Sequence, residues 1–314
     1  MQNMIISSSR RTDIPAFYSD WFFNRIENGF VMVRNPMNSE QIFQISLDPS
    51  VVDCIVFWTK DPAPMIPRLD LLDKFAYYFQ FTLNPYDKKI EPGLAEKNKL
   101  IKTFLKLAGK IGSDRVIWRY DPIFINDRID VAFHEKHFAA IAEKLAGSAK
   151  KCVISFADRY RKTEKNFELL GIRDMSGEVM IEIAVKLSSI AARYGMSVET
   201  CAEEIDLLAF GIGHSRCVDP VLIRKLAGSR ISAAKDRNQR DACGCVASVD
   251  IGVYDTCPNG CRYCYANSGE EAVRKNFAAY DPKSPILCGK LTIKDTIIQK
   301  EAKSQIQIKL NRHP

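Results

Sequence analysis

Three cysteines lie close together in the segment Cys257-Pro-Asn-Gly-Cys261-Arg-Tyr-Cys264. Three thiolates at this C-x3-C-x2-C spacing can bind three irons of a [4Fe–4S] cluster, which leaves the fourth iron free to bind a small molecule. Pro258 and Gly260 are residue types that favour the tight turns of such a loop. The spacing therefore predicts an iron–sulfur site with one open coordination position.

Structural zinc is an alternative for this segment, because Cys243 and Cys245 precede it closely and four of the five thiols could ligate one ion. Only Cys261 and Cys264 have the C-x2-C spacing of a zinc knuckle, and the C-x-C spacing of the earlier pair is too tight for one. The spacing therefore favours iron over zinc. A cluster used only for structure or electron transfer would need a fourth ligand, from Cys243, Cys245 or Cys288.

Two further cysteines leave the role of the earlier pair open. The chain has 10 Cys, and Cys201 or Cys217 could complete a second metal site with Cys243 and Cys245. The alternative is that Cys243 and Cys245 are redox-active thiols beside the cluster loop. In a reducing compartment so many cysteines predict free thiols or metal ligands rather than disulfides.

Short runs rich in β-branched and aromatic residues alternate with longer helical patterns along most of the chain. Strands are predicted over residues 4–8, 52–58, 77–82, 116–120, 152–156, 197–200, 207–211 and 249–253, with a small inserted pair at 31–34 and 41–46. Helices are predicted over residues 16–27, 93–111, 131–146 and 221–226, with a proline-broken stretch up to 74 and two more stretches up to 194. This alternation predicts an α/β fold with a parallel sheet and right-handed crossovers.

The number of strand–helix units favours a (β/α) TIM-type barrel, complete or partial. An open doubly wound sheet is the competing arrangement. It is less favoured because neither G-x-G-x-x-G nor a Walker-type loop follows any predicted strand, which also argues against dinucleotide-dependent dehydrogenases and P-loop hydrolases. The expected organisation is one integrated domain: a barrel body over residues 1–242, the cysteine-rich loop and last barrel element over 243–285, and a basic tail over 286–314.

Polar side chains collect where the predicted strands end, and the carboxyl ends of barrel strands meet on the face that carries active sites. A charged residue within a strand pattern, such as Arg119 or Glu199, needs a partner or a ligand. The candidate contacts to substrate or cofactor are Arg11, Asp13, Lys60, Arg119, Asp121 and Glu199.

The cysteine triplet resembles that of radical S-adenosylmethionine enzymes, C-x3-C-x-aromatic-C, with Tyr263 at the aromatic position. The resemblance implies that Cys257, Cys261 and Cys264 ligate a [4Fe–4S] cluster, that S-adenosylmethionine binds the open iron, and that Tyr263 packs near the adenine. It also implies a full or partial (β/α) barrel. In that superfamily the triplet usually follows the first strand, whereas here it lies near the C-terminus, so a circularly permuted barrel is expected.

The chain as a whole, with its Ser-Arg-Arg-Thr-Asp opening at residues 9–13 and its late triplet, resembles the DUF1848 family. That family consists of uncharacterised bacterial proteins with a C-terminal radical-SAM-like CxxxCxxC cluster. It has no established reaction, and the sequence contains no clear Gly-Gly-Glu element of the kind that often holds the amino group of S-adenosylmethionine.

The predicted function is therefore a radical enzyme that forms a 5′-deoxyadenosyl radical, uses an external one-electron donor and acts on an unknown small-molecule or phosphate-bearing substrate. One alternative is a metal-dependent barrel hydrolase with a zinc plug, which the content of only 4 His disfavours. His134 and His137, one turn apart, are expected on a solvated helix face. Another alternative is a non-catalytic iron–sulfur redox or nucleic-acid-binding protein, although the basic segments contain almost no aromatic residues.

The formal net charge of +7 is concentrated on both sides of the cysteine segment. Residues 221–240 contain six basic and one acidic residue, and residues 286–314 contain six basic and two acidic residues. Solvated surface is the favoured interpretation; the alternatives are a surface for a phosphate-bearing partner and a positive field that shields the cluster. No apolar run approaches the roughly 18–20 residues of a membrane span, and no signal-peptide core is evident, so a cytoplasmic protein without membrane contact is expected.

Overall fold

The computed structural model describes residues 4–228 and 234–300. Residues 301–314 of the predicted basic tail, and Arg230 of the preceding basic segment, lie outside the described residues. The strands are β1 Met4–Ser8, β2 Phe30–Asn35, β3 Asn38–Ser46, β4 Val52–Thr59, β5 Tyr77–Thr82, β6 Val116–Ile123, β7 Lys151–Phe156, β8 Ser197–Thr200, β9 Gly213–His214, β10 Val249–Asp250 and β11 Thr296–Gln299. The helices are α1 Ile14–Phe17, α2 Ser19–Asn28, α3 Lys97–Ile111, α4 Val131–Leu145, α5 Glu164–Leu169, α6 Gly177–Arg193, α7 Pro220–Ala227 and α8 Glu270–Ala278.

Eight strands form one parallel sheet in the order β10-β1-β4-β5-β6-β7-β8-β9. Strands β4 to β9 follow one another across the sheet in chain order. Strand β10, from late in the chain, lies beside β1 at the other edge. The predicted α/β fold with a parallel sheet is confirmed. Within the described residues, β9 and β10 are the two edges of the sheet.

The two faces of the sheet are buried by different partners, because successive strand residues point to opposite sides. On the outer face, residues such as Phe57, Phe79 and Trp118 pack in the main core with the amphipathic helices. On the inner face, Val56 and Tyr78 pack in a second cluster with loop residues that include cysteines 217, 243 and 245. Burial of both faces explains why the strands are continuous apolar runs in the sequence.

Several helices begin where a side chain accepts a hydrogen bond from a free backbone N–H. Asp130 accepts from Phe133 N at the start of α4, at 2.7 Å, and Asp219 accepts from Val221 N at the start of α7, at 2.8 Å. In the described residues, no helix is both long and apolar enough to cross a bilayer.

A second, smaller sheet has the order β11-β3-β2, with β2 and β3 antiparallel and β11 parallel to β3. The predicted inserted pair is β2 and β3. Strand β11 was not predicted, because its short run of residues acquires strand structure only by pairing with β3.

Several predicted elements differ from the structure. The helix predicted over residues 16–27 is two helices, α1 and α2, separated at Tyr18, and the strand predicted over residues 249–253 is limited to Val249–Asp250. The strand predicted over residues 207–211 is wrong: Leu208–Phe210 forms a 3-10 helix that ends at Gly211, whose φ is +74°, and strand β9 follows it. The helix predicted from residue 93 begins at Lys97 instead. Gly93 N donates to Asn259 O at 3.0 Å, and a Cβ on Gly93 would lie 2.7 Å from that oxygen. The segment before Lys97 is therefore not helical, because Gly93 lets its backbone lie directly against that of Asn259.

Candidate functional site

A cavity of about 320 Å³, called the basin below, lies where β1, β4, β6 and β7 end. The carboxyl ends of parallel strands meet at one edge of a sheet, and such an edge is a common place for a ligand site. The basin is lined by charged side chains from these strand ends and by seven cysteines: Arg10, Arg11, Asp13, Lys60, Arg119, Asp121, Cys201, Cys217, Cys243, Cys245, Cys257, Cys261 and Cys264.

The triplet loop, residues 257–264, is held in the basin wall by its backbone and by asparagine side chains. Asn259 donates to the Asp13 carboxylate at 3.3 Å, and Asn267 donates to Cys257 O at 2.8 Å. Gly260 has a φ of +62°, a conformation that glycine adopts without strain. The contact of Asn259 with Gly93 fixes the other side of the turn.

The three thiols of the triplet loop are partly exposed to the basin and otherwise enclosed by protein. Burial raises the pKa of all three, to about 12 for Cys261, while the Lys60 ammonium acts in the opposite direction on Cys261 and Cys264. A bound metal cation is what would keep such thiols deprotonated at neutral pH. The sulfur-only donor set therefore fits a thiophilic metal.

Within residues 4–228 and 234–300, no three or more His, Cys, Asp or Glu side chains converge in a group that could hold a metal ion. Cys257, Cys261 and Cys264 therefore stay predicted metal ligands.

Lys60 connects the triplet loop to a buried carboxylate. Its Nζ donates to Glu91 Oε1 at 2.9 Å and to the Tyr263 hydroxyl at 2.8 Å, and Glu91 also accepts from Lys97 and from Tyr263. Burial alone would raise the pKa of Glu91, but the Lys60 and Lys97 ammonium groups outweigh it and hold that pKa below its usual range. The Tyr263 side chain is consequently held in one orientation.

Arg119 occupies the floor of the basin, 5% exposed. Its Nε donates to Asp121 Oδ2 at 2.9 Å, and Asp121 also accepts from the Ser155 hydroxyl. Burial alone would raise the pKa of Asp121, but Arg119 and then Ser155 outweigh it and lower that pKa. A buried charged pair with additional hydrogen bonds is thereby formed, as a charge inside a strand requires.

Four further cysteines, called the floor cysteines, lie beside Arg119: Cys201, Cys217, Cys243 and Cys245. Cys201 Sγ and Cys217 Sγ are 3.2 Å apart, and Arg119 Nη1 donates to Cys217 Sγ at 2.9 Å. Cys217 also contacts the Cys245 thiol, which in turn contacts Cys243. The structure thus brings together four cysteines that the sequence spreads over 45 positions.

The end of β1 is fastened to β10 by Asp250, which sequence reasoning missed although it lies in a predicted strand. Asp250 accepts from Ser7 Oγ at 2.8 Å, from Ser9 Oγ at 2.7 Å and from Arg10 N at 2.9 Å. Arg11 lies nearby, with its Nε 4.0 Å from Asp250 Oδ1. These contacts hold Arg10 and Arg11 at the basin.

Asp13 has a structural task as well as a place in the lining. It caps α1 by accepting from Ala16 N at 3.1 Å, and it accepts from Lys60 N at 2.7 Å. Burial raises its pKa to about 6 despite these bonds.

The structure brings most of the candidate residues together. Arg11, Asp13, Lys60, Arg119, Asp121, Tyr263 and the three triplet cysteines all line the basin. Glu199 does not: it pairs with Lys151 at 2.9 Å, nearer the start of β7. Cys288 is also outside the lining and donates to Asn276 O. Glu91 was missed because nothing in its local sequence marks it as buried.

A protein-family model matches most of the chain. The model of a family described as a domain of unknown function, DUF1848, matches residues 5–266, a span that includes every residue of the basin lining named above. No curated protein matches the chain.

Proposed function

The chain belongs to the DUF1848 family, whose description states no activity, and we propose that it is an iron–sulfur enzyme of the radical S-adenosylmethionine type. One observation carries the proposal: the three thiols of the triplet loop open onto the same basin as the charged side chains at the strand ends. A site that only stored a structural metal would not need to share a cavity with these side chains.

Cys257, Cys261 and Cys264 are the residues that would hold the cluster. When bound, a three-cysteine cluster of this type supplies one electron to S-adenosylmethionine and so gives a 5′-deoxyadenosyl radical. Lys60 places a positive charge beside Cys261 and Cys264, which lowers the cost of thiolates there. Tyr263, held by Lys60 and Glu91, forms a rigid wall next to the loop.

The remaining lining supports a small anionic substrate with phosphate or carboxylate groups. The electron for the reaction would come from an external donor. Arg10 and Arg11 both line the basin, and guanidinium groups bind such anions through paired N–H donors. Trp58 and Phe156 contribute apolar surface that excludes water around a bound molecule.

The sheet is in our proposal a partial (β/α) barrel, permuted relative to that of radical S-adenosylmethionine enzymes. Its inner face is filled by a core of its own, as in a barrel, and Val246 N donates to Val218 O at 3.2 Å between the segments that adjoin the two edge strands. Because β10 lies beside β1 and the triplet loop follows β10, the triplet would come after the first strand of the unpermuted barrel.

A reducing cytoplasmic location accompanies this proposal, since all ten cysteines are free thiols. The test is to purify the full chain without oxygen and to measure iron, acid-labile sulfide and zinc. Dithionite and S-adenosylmethionine are then added, and 5′-deoxyadenosine is measured.

Wild-type protein is expected to contain iron and sulfide and to form 5′-deoxyadenosine. The triple variant Cys257→Ser/Cys261→Ser/Cys264→Ser should form none, while the control Cys288→Ser, outside the basin, should behave as wild type. Zinc without iron, or iron without cleavage of S-adenosylmethionine, would contradict the proposed function.

A further inference from the structure

Three exposed tyrosines, called the tyrosine rim, stand where the basin opens to solvent: Tyr160, Tyr254 and Tyr265. Between 37% and 41% of each residue is exposed. Tyr160 and Tyr265 line the basin with their ring centroids 5.4 Å apart, and Tyr254 lies near Tyr265. Aromatic rings grouped at the surface beside a cavity are typical of a binding site rather than of ordinary solvent-exposed surface.

Cations accompany the rings of the tyrosine rim. The Arg11 guanidinium stands 5.2 Å and the Lys162 ammonium 5.5 Å from the centroid of the Tyr254 ring. Arg240 pairs with Asp158, which also accepts from the Tyr160 hydroxyl at 3.4 Å. The rim therefore consists of two aromatic–cation units, one around Tyr254 and one around Tyr160 and Tyr265.

Part of the positive charge at the rim is not used by the protein. Among the described residues, Arg10 and Lys162 contact aromatic rings and form no salt bridge. The Nη2 of Arg10, which lines the basin below the rim, is buried and has no hydrogen-bond partner in that part of the chain. A guanidinium with a spare donor and an unpaired ammonium are suited to bind an anion such as a phosphate.

The sequence hides this arrangement because its members come from separate segments. Arg240 ends the basic segment 221–240, which contains no aromatic residue, and its aromatic neighbour Tyr160 follows β7. Tyr254 follows β10, whereas its two cations follow β1 and β7. Folding thus interleaves aromatic and basic side chains, which is the pattern of surfaces that bind unpaired bases and their phosphates.

We propose that the tyrosine rim binds single-stranded nucleic acid and places one nucleotide over the basin. Bases stack on the tyrosine rings, and the phosphates of the strand bind the four cations beside them: Arg10, Arg11, Lys162 and Arg240. Two aromatic–cation units offer more than one base and one phosphate can use, which favours a strand over a free nucleotide. A duplex is excluded because its bases have no free faces. The inference rests on the proposed function in that it names the phosphate-bearing substrate of the same basin.

The test measures binding by the full chain, purified without oxygen, to a fluorescent single strand of about 10 nucleotides. Fluorescence anisotropy gives the affinity at several salt concentrations. An abasic strand of the same length, a duplex and adenosine monophosphate are compared with it. Each should bind at least about 10-fold more weakly than the strand, because each lacks free bases or reaches only one unit. An abasic strand or a free nucleotide that binds as tightly as the strand would overturn the proposal.

Variants at the rim separate stacking from charge. Tyr160→Ala and Tyr254→Ala should each weaken strand binding by about 10-fold, whereas Tyr160→Phe and Tyr254→Phe should bind nearly as wild type, since the ring remains. Lys162→Met should weaken binding of all sequences alike and reduce the salt dependence by about one counterion.

Phe210→Ala is the matched control, because Phe210 is 50% exposed and lies outside the basin lining. It should bind the strand as wild type does, and circular dichroism checks that every variant is folded. Equal affinity of wild type and both tyrosine-to-alanine variants would refute the rim as the binding site.

Cleavage of S-adenosylmethionine is measured on the same preparation, so that the two proposals are judged separately. Strand binding without cleavage would support the rim and contradict the proposed function. Cleavage without strand binding would support the proposed function and overturn the rim.

Discussion

The triplet loop and the floor cysteines line the same basin but differ in how the chain assembles them. The triplet thiols belong to one turn of eight residues, fastened by Gly93 and Asn259 backbone contacts. The floor thiols come from three segments that meet only because the strands β5, β6, β7 and β8 follow one another in the sheet. A contiguous motif can be recognised in a sequence, whereas a dispersed one exists only after folding.

The two groups also differ in the carboxylates behind their cations. Lys60, next to the triplet, pairs with Glu91, which has Lys97 and Tyr263 as further partners. Arg119, next to the floor cysteines, pairs with Asp121, whose only other side-chain donor in the described residues is Ser155. Removal of Arg119 should therefore lower the free energy of unfolding more than removal of Lys60.

The largest expected difference concerns activity. Cys261→Ser should lower the rate of 5′-deoxyadenosine formation by at least about 100-fold, because a ligand is lost from the reacting centre. Cys217→Ser should lower it by less than about 10-fold, since Cys217 is not a ligand of the cluster that the triplet loop is proposed to hold. Single-turnover assays by chromatography give both rates, and equal losses would remove the distinction between the two sites.

The next effect is on stability at the floor. Arg119→Met leaves Asp121 charged and enclosed without its cation, so the free energy of unfolding should fall by about 3–5 kcal/mol. Urea denaturation followed by circular dichroism measures this change. Arg119→Lys is the matched control and should recover part of the loss, because it keeps the charge but not the forked geometry. If Arg119→Met lowered the free energy of unfolding no more than Arg128→Met, a change at an exposed arginine, Arg119 would not be the charge partner on which Asp121 depends.

The third prediction is a pH dependence beside the triplet loop. The folded pKa of Asp13 is about 6, above the unfolded value of 3.8, so the folded state binds the proton more tightly. Asp13 therefore stabilises the fold at low pH, and this stabilisation is lost as the pH rises from about 4 to about 6, by roughly 3 kcal/mol at most. Asp13→Asn should flatten the unfolding free energy over that window. An unchanged slope would show that another group titrates.

The smallest effect is expected at the triplet cation. Lys60→Met leaves Glu91 with Lys97 and Tyr263 as partners. The free energy of unfolding should therefore fall by about 2 kcal/mol, less than for Arg119→Met. Lys97→Met, which removes the more exposed partner of the same carboxylate, should cost less still. The three variants are compared in one series of urea titrations. The reverse order would mean that Glu91, rather than Asp121, depends on a single cation.

Local patterns predicted much of the fold correctly but not its burial. The bounds of β1, β5 and β8 agree with prediction. β1 and β5 are short runs rich in apolar and aromatic residues that end in Ser or Thr. His134 shows the limit: it was expected on a solvated face, but it is fully buried between the Tyr120 hydroxyl and Phe124 O, at 2.9 Å from each. Its partners come from β6 and the segment after it, and local periodicity carries no information about them.

The sequence by itself determined the alternation of strands and helices, the C-x3-C-x2-C spacing and the polar strand ends, since these depend on near neighbours in the chain. Only the tertiary structure decided which strands are edges, that Glu199 lies outside the basin, and that Glu91 stands behind Lys60. It also decided that four distant cysteines meet beside Arg119. Sheet order creates these contacts, because it joins residues whose separation along the chain hides them from any local pattern.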